Sequence, residues 1–257
     1  MADIHFIDIG KGPNLIFQHG LGGSSEQVKS LFPFPLKVRL VCLDCPGHGR
    51  SSMEHDPTRL NIPAFADDII ELHEEIKGRE NWSMGGVSMG AAIALQAVLK
   101  EPERFKRLIL LRPAWLNQTN PENLNIFHLV ADQLETMGPH EGKEQFKRHP
   151  ELIKIAKVAP AASASLLRQF QTGEARAKAQ LLRCLVNSLA FYEPRQLSEI
   201  QIPVHIFGCK NDPLHPWEMA ERYHEMIPDS TLVELPSRYK DLDAFQAAFQ
   251  DEMDKLF

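Results

Sequence analysis

Residues 82–100 read WSMGGVSMGAAIALQAVLK. Within them Gly86-Val87-Ser88-Met89-Gly90 closes an apolar run, Trp82–Val87, and opens a run of helix-forming residues, Ala91–Lys100. Glycines two residues either side of a serine suit a turn so tight that larger side chains there would strike neighbouring backbone. They let Ser88 stand exposed in a strained conformation at a helix start, where free N–H groups and partial positive charge suit a developing oxyanion. A G-x-S-x-G string alone recurs by chance on glycine-rich turns. The strand before it and the helix after it make Ser88 the candidate nucleophile.

The same rhythm extends both ways along the chain. Short runs rich in Val, Ile, Leu and Phe fall at His5–Ile9, Asn14–Gln18, Arg39–Leu43, Trp82–Val87, Leu108–Leu111, Val204–Phe207 and Thr231–Leu235. Stretches of helical period lie between them, near Ser24–Leu31, Pro63–Lys77, Ser88–Lys100, Pro216–Met226 and Leu242–Phe257. Strand–helix alternation predicts an α/β protein whose mostly parallel sheet has helices on both faces. Whether the first one or two strands are antiparallel at an edge is left open. From about 114 to 200 strands give way to helical stretches, Leu124–Met137, Gly142–Arg148, Glu151–Val158, Ser163–Phe170 and Glu174–Ala190. That pattern reads as a helical lid inserted before the last two strands, over the strand ends where pockets of open sheets form. The expected organisation is one domain, with core 1–113 and 201–257.

Two further segments carry chemistry. His19-Gly20-Leu21-Gly22-Gly23 follows the strand Asn14–Gln18, so the Leu21 N–H can join that of Met89 as a two-donor oxyanion hole. His19 itself suits a structural hydrogen bond, and the whole segment also reads as a simple strand-ending turn. Asp44-Cys45-Pro46-Gly47-His48-Gly49-Arg50-Ser51 then follows the strand Arg39–Leu43. With these three motifs the chain resembles the α/β-hydrolase superfamily, in which a D-x-x-G-x-G-x-S segment follows the fourth strand. The likeness spans roughly 1–113 and 201–257, and the lid resembles no assigned pattern. Cys42-x-x-Cys45 overlaps the third motif, but strand periodicity buries Cys42 and no second pair follows, so no metal site is expected.

The resemblance implies an acid after a late strand, in a G-x-x-x-D pattern, and Asp212 of Gly208-Cys209-Lys210-Asn211-Asp212 matches it. An N-cap or turn aspartate is the plainer role for the same residue. It also implies a histidine shortly after the last strand, yet Pro236-Ser237-Arg238-Tyr239-Lys240-Asp241 contains none, and no histidine follows His224. Three options replace it. Lys240 stands near the expected place, but a lysine base needs its pKa lowered from about 10.4 to about 7–8, and Asp241 and Asp243 push the other way. His215, three residues after Asp212, needs no such shift, since imidazole titrates near 6.5; loop packing is its plainer role. The third option is no base at all, which leaves roughly 10³–10⁴-fold from oxyanion hole and binding. His128, His140 and His149 are further histidines of the lid or rim.

Composition bounds the rest. The 257 residues are 43% hydrophobic and 24% charged, with 28 basic against 34 acidic side chains and a net charge of −6. No lysine- or arginine-rich block appears, so neither nucleic acid nor an acidic membrane surface is an expected partner. No apolar run approaches the roughly 20 residues of a membrane span. The first ten residues lack the basic and apolar regions of a signal peptide, and four cysteines make no disulfide scaffold; a cytoplasmic setting is the expectation. No cofactor is expected. The favoured reading is an esterase-like hydrolase of a small apolar acyl compound, with Trp115, Phe127, Leu134 and Phe146 as candidate acyl-pocket residues or as plain lid packing. The alternative is a catalytically impaired relative that binds a small molecule; thioesterase, lyase or cofactor-free oxygen chemistry in the same pocket comes third.

Overall fold

The computed structural model describes residues 3–76 and 82–257. Lys77, the expected end of the second helix, lies outside the described residues. Seven strands form one sheet: β1 (Phe6–Ile9), β2 (Asn14–Gln18), β3 (Arg39–Leu43), β4 (Trp82–Val87), β5 (Phe105–Leu111), β6 (Val204–Gly208) and β7 (Ser230–Glu234). Their order is β1-β3-β2-β4-β5-β6-β7, with β1 antiparallel to β3 at one edge and every other pair parallel.

Alternate side chains of each strand enter two different cores, as the two-residue strand period requires. Leu15, Phe17, Ile109, Leu111 and Phe207 pack with α1 (Ser25–Lys29) and with Phe245, Phe249 and Met253 of α10 (Leu242–Leu256). Ile16, Met84, Leu108, Leu110 and Ile206 face α2 (Ile62–Glu75), α3 (Met89–Lys100) and α9 (Trp217–Met226). Cys42 and Cys45 belong to these opposite cores, so they do not act as a pair. Local chemistry starts the helices: Asn61 Oδ1 accepts from the Ala64 N–H at 2.9 Å and Asp241 Oδ1 from the Ala244 N–H at 2.9 Å.

Between β5 and β6 lie five helices among the described residues: α4 (Ile126–Phe146), α5 (Pro150–Val158), α6 (Pro160–Arg168), α7 (Ala175–Val186) and α8 (Pro194–Ser198). The two expected stretches Leu124–Met137 and Gly142–Arg148 are one kinked helix, bent where Gly138 takes φ 76° before Pro139. α8 was not expected. Five residues starting at a proline carry too little periodicity to stand out. β5 begins three residues earlier than its apolar run because Lys106 and Arg107 interrupt the pattern; the Arg107 guanidinium folds back to the Leu256 carbonyl at 2.8 Å. No helix among the described residues is long and apolar enough to cross a membrane.

Candidate active site

Ser88 sits between β4 and α3 at φ 59°, ψ −115°, in the region that L-residues rarely adopt. The flanking glycines permit this. A Cβ on Gly86 would lie 2.2 Å from the Gly90 carbonyl oxygen, and one on Gly90 would lie 2.2 Å from the Gln18 carbonyl oxygen of β2. The Ser88 N–H donates to the Leu111 carbonyl at 2.9 Å, which ties the turn to the end of β5.

Asp212 and His215 come from the loop between β6 and α9. Asp212 Oδ1 accepts from the Leu214 and His215 backbone N–H groups, each at 3.1 Å, and this curls the loop so that the His215 ring turns back over its own carboxylate. His215 Nδ1 lies 3.0 Å from Oδ1 and 3.1 Å from Oδ2 of Asp212, and Nε2 lies 2.8 Å from Ser88 Oγ. Both side chains are buried, Asp212 4% and His215 8% exposed. The site thus brings together Ser88, His215 and Asp212. Lys240 is exposed and does not line the cavity at Ser88. Its nearest role is local, its N–H donating to the Ser237 carbonyl at 3.0 Å.

Arg112, which the sequence reading did not single out, completes the arrangement. It follows β5 at φ 49°, is 3% exposed, and donates through Nε to Asp212 Oδ2 at 2.8 Å. Its Nη2 donates both to Asp212 Oδ2 and to Tyr239 Oη, the latter at 2.6 Å, and also lies 3.0 Å from His215 Nδ1. A guanidinium nitrogen of this kind has two hydrogens, and those two acceptors take both. Nδ1 therefore keeps its own proton, directed at Asp212, and Nε2 presents a lone pair to Ser88. Despite its burial, Asp212 has its pKa held far below the usual carboxylate range by the charges of His215 and Arg112. Burial, then the charge of Arg112, lowers that of His215, so the imidazole is neutral at pH 7. An arginine closing an otherwise apolar strand, Leu108–Leu111, was the available signal. Tyr239 stands beside the place where the missing histidine was expected.

The Leu21 and Met89 N–H groups have no hydrogen-bond partner among the described residues, so both donors are free. The loop that carries Leu21 is held from beneath. The Gly20 N–H donates to Gln27 Oε1 at 2.9 Å, and buried His19 donates from Nδ1 to the Gly20 carbonyl at 2.9 Å while its Nε2 accepts from the Cys45 N–H at 3.0 Å. Asp44, fully buried, accepts from the Ser25 and Arg50 N–H groups at 2.6 and 2.9 Å. Both residues have structural roles here.

A cavity of about 50 Å³ opens at Ser88, with Trp115 and Phe127 among its walls. Leu134 and Phe146 do not line it. Phe146 is buried against Phe170 at 5.5 Å between ring centroids, and Leu134 lies in the core that the inserted helices share, so both pack the insertion. The other histidines stay away from Ser88: His128 meets Asn120 Oδ1, His149 caps α5, and His140 is exposed. A larger hollow of about 930 Å³ lies outside, between α4, α5 and α9, and contains none of the three residues.

Comparison with known proteins agrees with this fold. The profile of a family described as having the alpha/beta hydrolase fold matches residues 13–239. A protein of Agrobacterium fabrum named as a candidate carbamate hydrolase, RutD, is 29% identical over 237 residues, covering 90% of this chain and 87% of that one. A pimeloyl-[acyl-carrier protein] methyl ester esterase of Nitrosomonas europaea is 25% identical over 262 residues, covering 92% of each. A solved esterase of Thermogutta terrifontis superposes with a TM-score of 0.73 at 21% identity over 99% of this chain and 94% of its own.

Proposed function

The chain belongs to the α/β-hydrolase fold family, and from that premise we propose that it is a serine hydrolase of carboxylic esters. The observation that carries this reading is the 2.8 Å contact between Ser88 Oγ and His215 Nε2, with Asp212 behind the same ring. Ser88 attacks the substrate carbonyl as His215 takes its proton. The oxyanion forms against the Leu21 and Met89 N–H groups, where removing one such donor costs about 10²–10³-fold. His215 then protonates the leaving alkoxide, and water, deprotonated by the same imidazole, releases the acid. Both curated relatives are named for cleavage at a carbonyl attached to a heteroatom, which suits this chemistry. The helices of 114–200 act as the lid. A 50 Å³ cavity holds only a few atoms, so an ester enters when they shift.

A fluorophosphonate probe tests the assignment. We expect one equivalent to label Ser88, with no labelling of Ser88→Ala and no loss of its folding transition. A wild-type protein silent to the reagent would instead support the ligand-binding reading. His215→Ala is expected to lower kcat by about 10⁶-fold, leaving only what the oxyanion hole and binding supply. Retained turnover would remove His215 from the base role.

A further inference from the structure

The charge on the walls of the Ser88 cavity is unbalanced. No aspartate or glutamate lines it among the described residues, whereas two arginines do, Arg112 and Arg238. Arg112 is matched by Asp212. Arg238 is half-buried and makes no ion pair or side-chain hydrogen bond among the described residues. Asp212, the acid nearest in effect, already serves Arg112 and His215. Burial and then the like charge of Arg112 lower the Arg238 pKa, and Arg168 of α6 lies close enough to add to that repulsion. Arg168 is exposed and has no ion pair among the described residues. It sits between Ser165, a wall of the same cavity, and Gln169, whose Nε2 lies 3.4 Å from the Leu21 carbonyl in the oxyanion loop. In a protein of net charge −6, one unmatched guanidinium, that of Arg238, stands in the wall of the cavity beside the nucleophile.

We propose that Arg238 binds a carboxylate carried on the acyl part of the substrate, so that the preferred esters are monoesters of short dicarboxylic acids. The proposal rests on the hydrolase reading above and names its substrate class. A guanidinium presents parallel N–H donors that match a carboxylate, and such charge-assisted bonds are about twice as strong as neutral ones. Ser88 and Arg238 line the same cavity, which sets that carboxylate a few bonds from the scissile carbonyl.

Calorimetric titration of the Ser88→Ala protein with monomethyl glutarate and with dimethyl glutarate tests the site without turnover. We expect the anionic ester to bind about tenfold more tightly or better, and high salt to erode that preference alone. Adding Arg238→Gln should bring the two affinities together, while Arg238→Lys should retain part of the difference. Equal binding of the two esters, or a preference that survives Arg238→Gln in a protein with an unchanged melting profile, would overturn the proposal. Wild-type turnover of the same esters separates the two readings. A binding preference without hydrolysis of either ester removes the hydrolase and keeps the anion site; hydrolysis with equal binding does the reverse.

Discussion

Tyr239 controls a proton it does not touch. Its hydroxyl takes one of the two hydrogens on Arg112 Nη2, and Asp212 takes the other. Removing the hydroxyl frees a donor 3.0 Å from His215 Nδ1, which can then accept and shift the imidazole proton to Nε2, the wrong nitrogen for a base. Tyr239→Phe keeps the ring under the guanidinium, 5.1 Å from its centroid, so the loop has no reason to move. We expect kcat to fall by about tenfold with KM little changed, well short of the roughly 10⁴-fold cost of a fully wrong tautomer. Unchanged kcat would show that Asp212 alone holds the tautomer. The pH profile reports the same group. Because burial and Arg112 lower the His215 pKa, the acid limb of kcat/KM should lie below the ordinary 6.5. Arg112→Gln should move that limb to higher pH, since it removes a positive charge that disfavours imidazolium; a limb that stays in place would leave burial as the whole cause.

At the scale of an element, the turn from β4 into α3 depends on how close its backbone comes to β2. Gly90→Ala places a methyl group 2.2 Å from the Gln18 carbonyl oxygen, and backbone on both sides has no side chain to move aside. We expect a loss of about 2–4 kcal/mol in a denaturant titration, with labelling of Ser88 lost in step. Gly173→Ala, between α6 and α7, has nothing within 4 Å of the added carbon and serves as the control. It should be neutral or stabilising by up to about 1 kcal/mol through the unfolded chain. Equal losses from the two substitutions would show that the close approach to β2 is not what makes position 90 glycine.

Across the whole molecule, the inserted helices are joined to the core at some cost. Lys178 of α7 is 7% exposed, has no ion pair among the described residues, and bears on His48 and His19 below it. Burial brings its pKa down to about 8 from 10.5. The folded protein therefore sheds this proton where the unfolded chain keeps it, and stability rises as pH climbs from about 8 toward 10.5. Below 8 the fold carries a buried ammonium, a penalty of roughly 3 kcal/mol at most by the value of a pKa unit. Lys178→Met should raise the melting temperature at pH 7, and the gain should shrink by pH 10. A gain that does not depend on pH would attribute the effect to packing instead of charge.

Most of the architecture was legible because it follows from local pattern. The strand period placed all seven strands, and G-x-S-x-G placed Ser88 at the start of α3, since a backbone turn that tight admits few residue types. Boundaries failed where local and distant forces compete. Lys106 and Arg107 hid the start of β5, and one kinked helix was read as two because Gly138 and Pro139 break its periodicity. The identity of the base stayed open, with Lys240, His215 or none in contention. Spacing along the chain says nothing of how a loop curls, and the curl comes from two amides bonding to Asp212 Oδ1. Arg112, Tyr239 and Arg238 were passed over for a related reason. Arg112 follows β5, Arg238 and Tyr239 share the loop after β7, and what they do depends on convergence from 112, 212 and 239. The sequence by itself determined the sheet, its order of strand and helix, and the serine at the turn, because steric and periodic rules act over a few residues. Only the tertiary structure decided which imidazole meets that serine and which guanidiniums lack a carboxylate, because hydrogen bonds and charges act between neighbours in space, over a hundred residues apart in sequence.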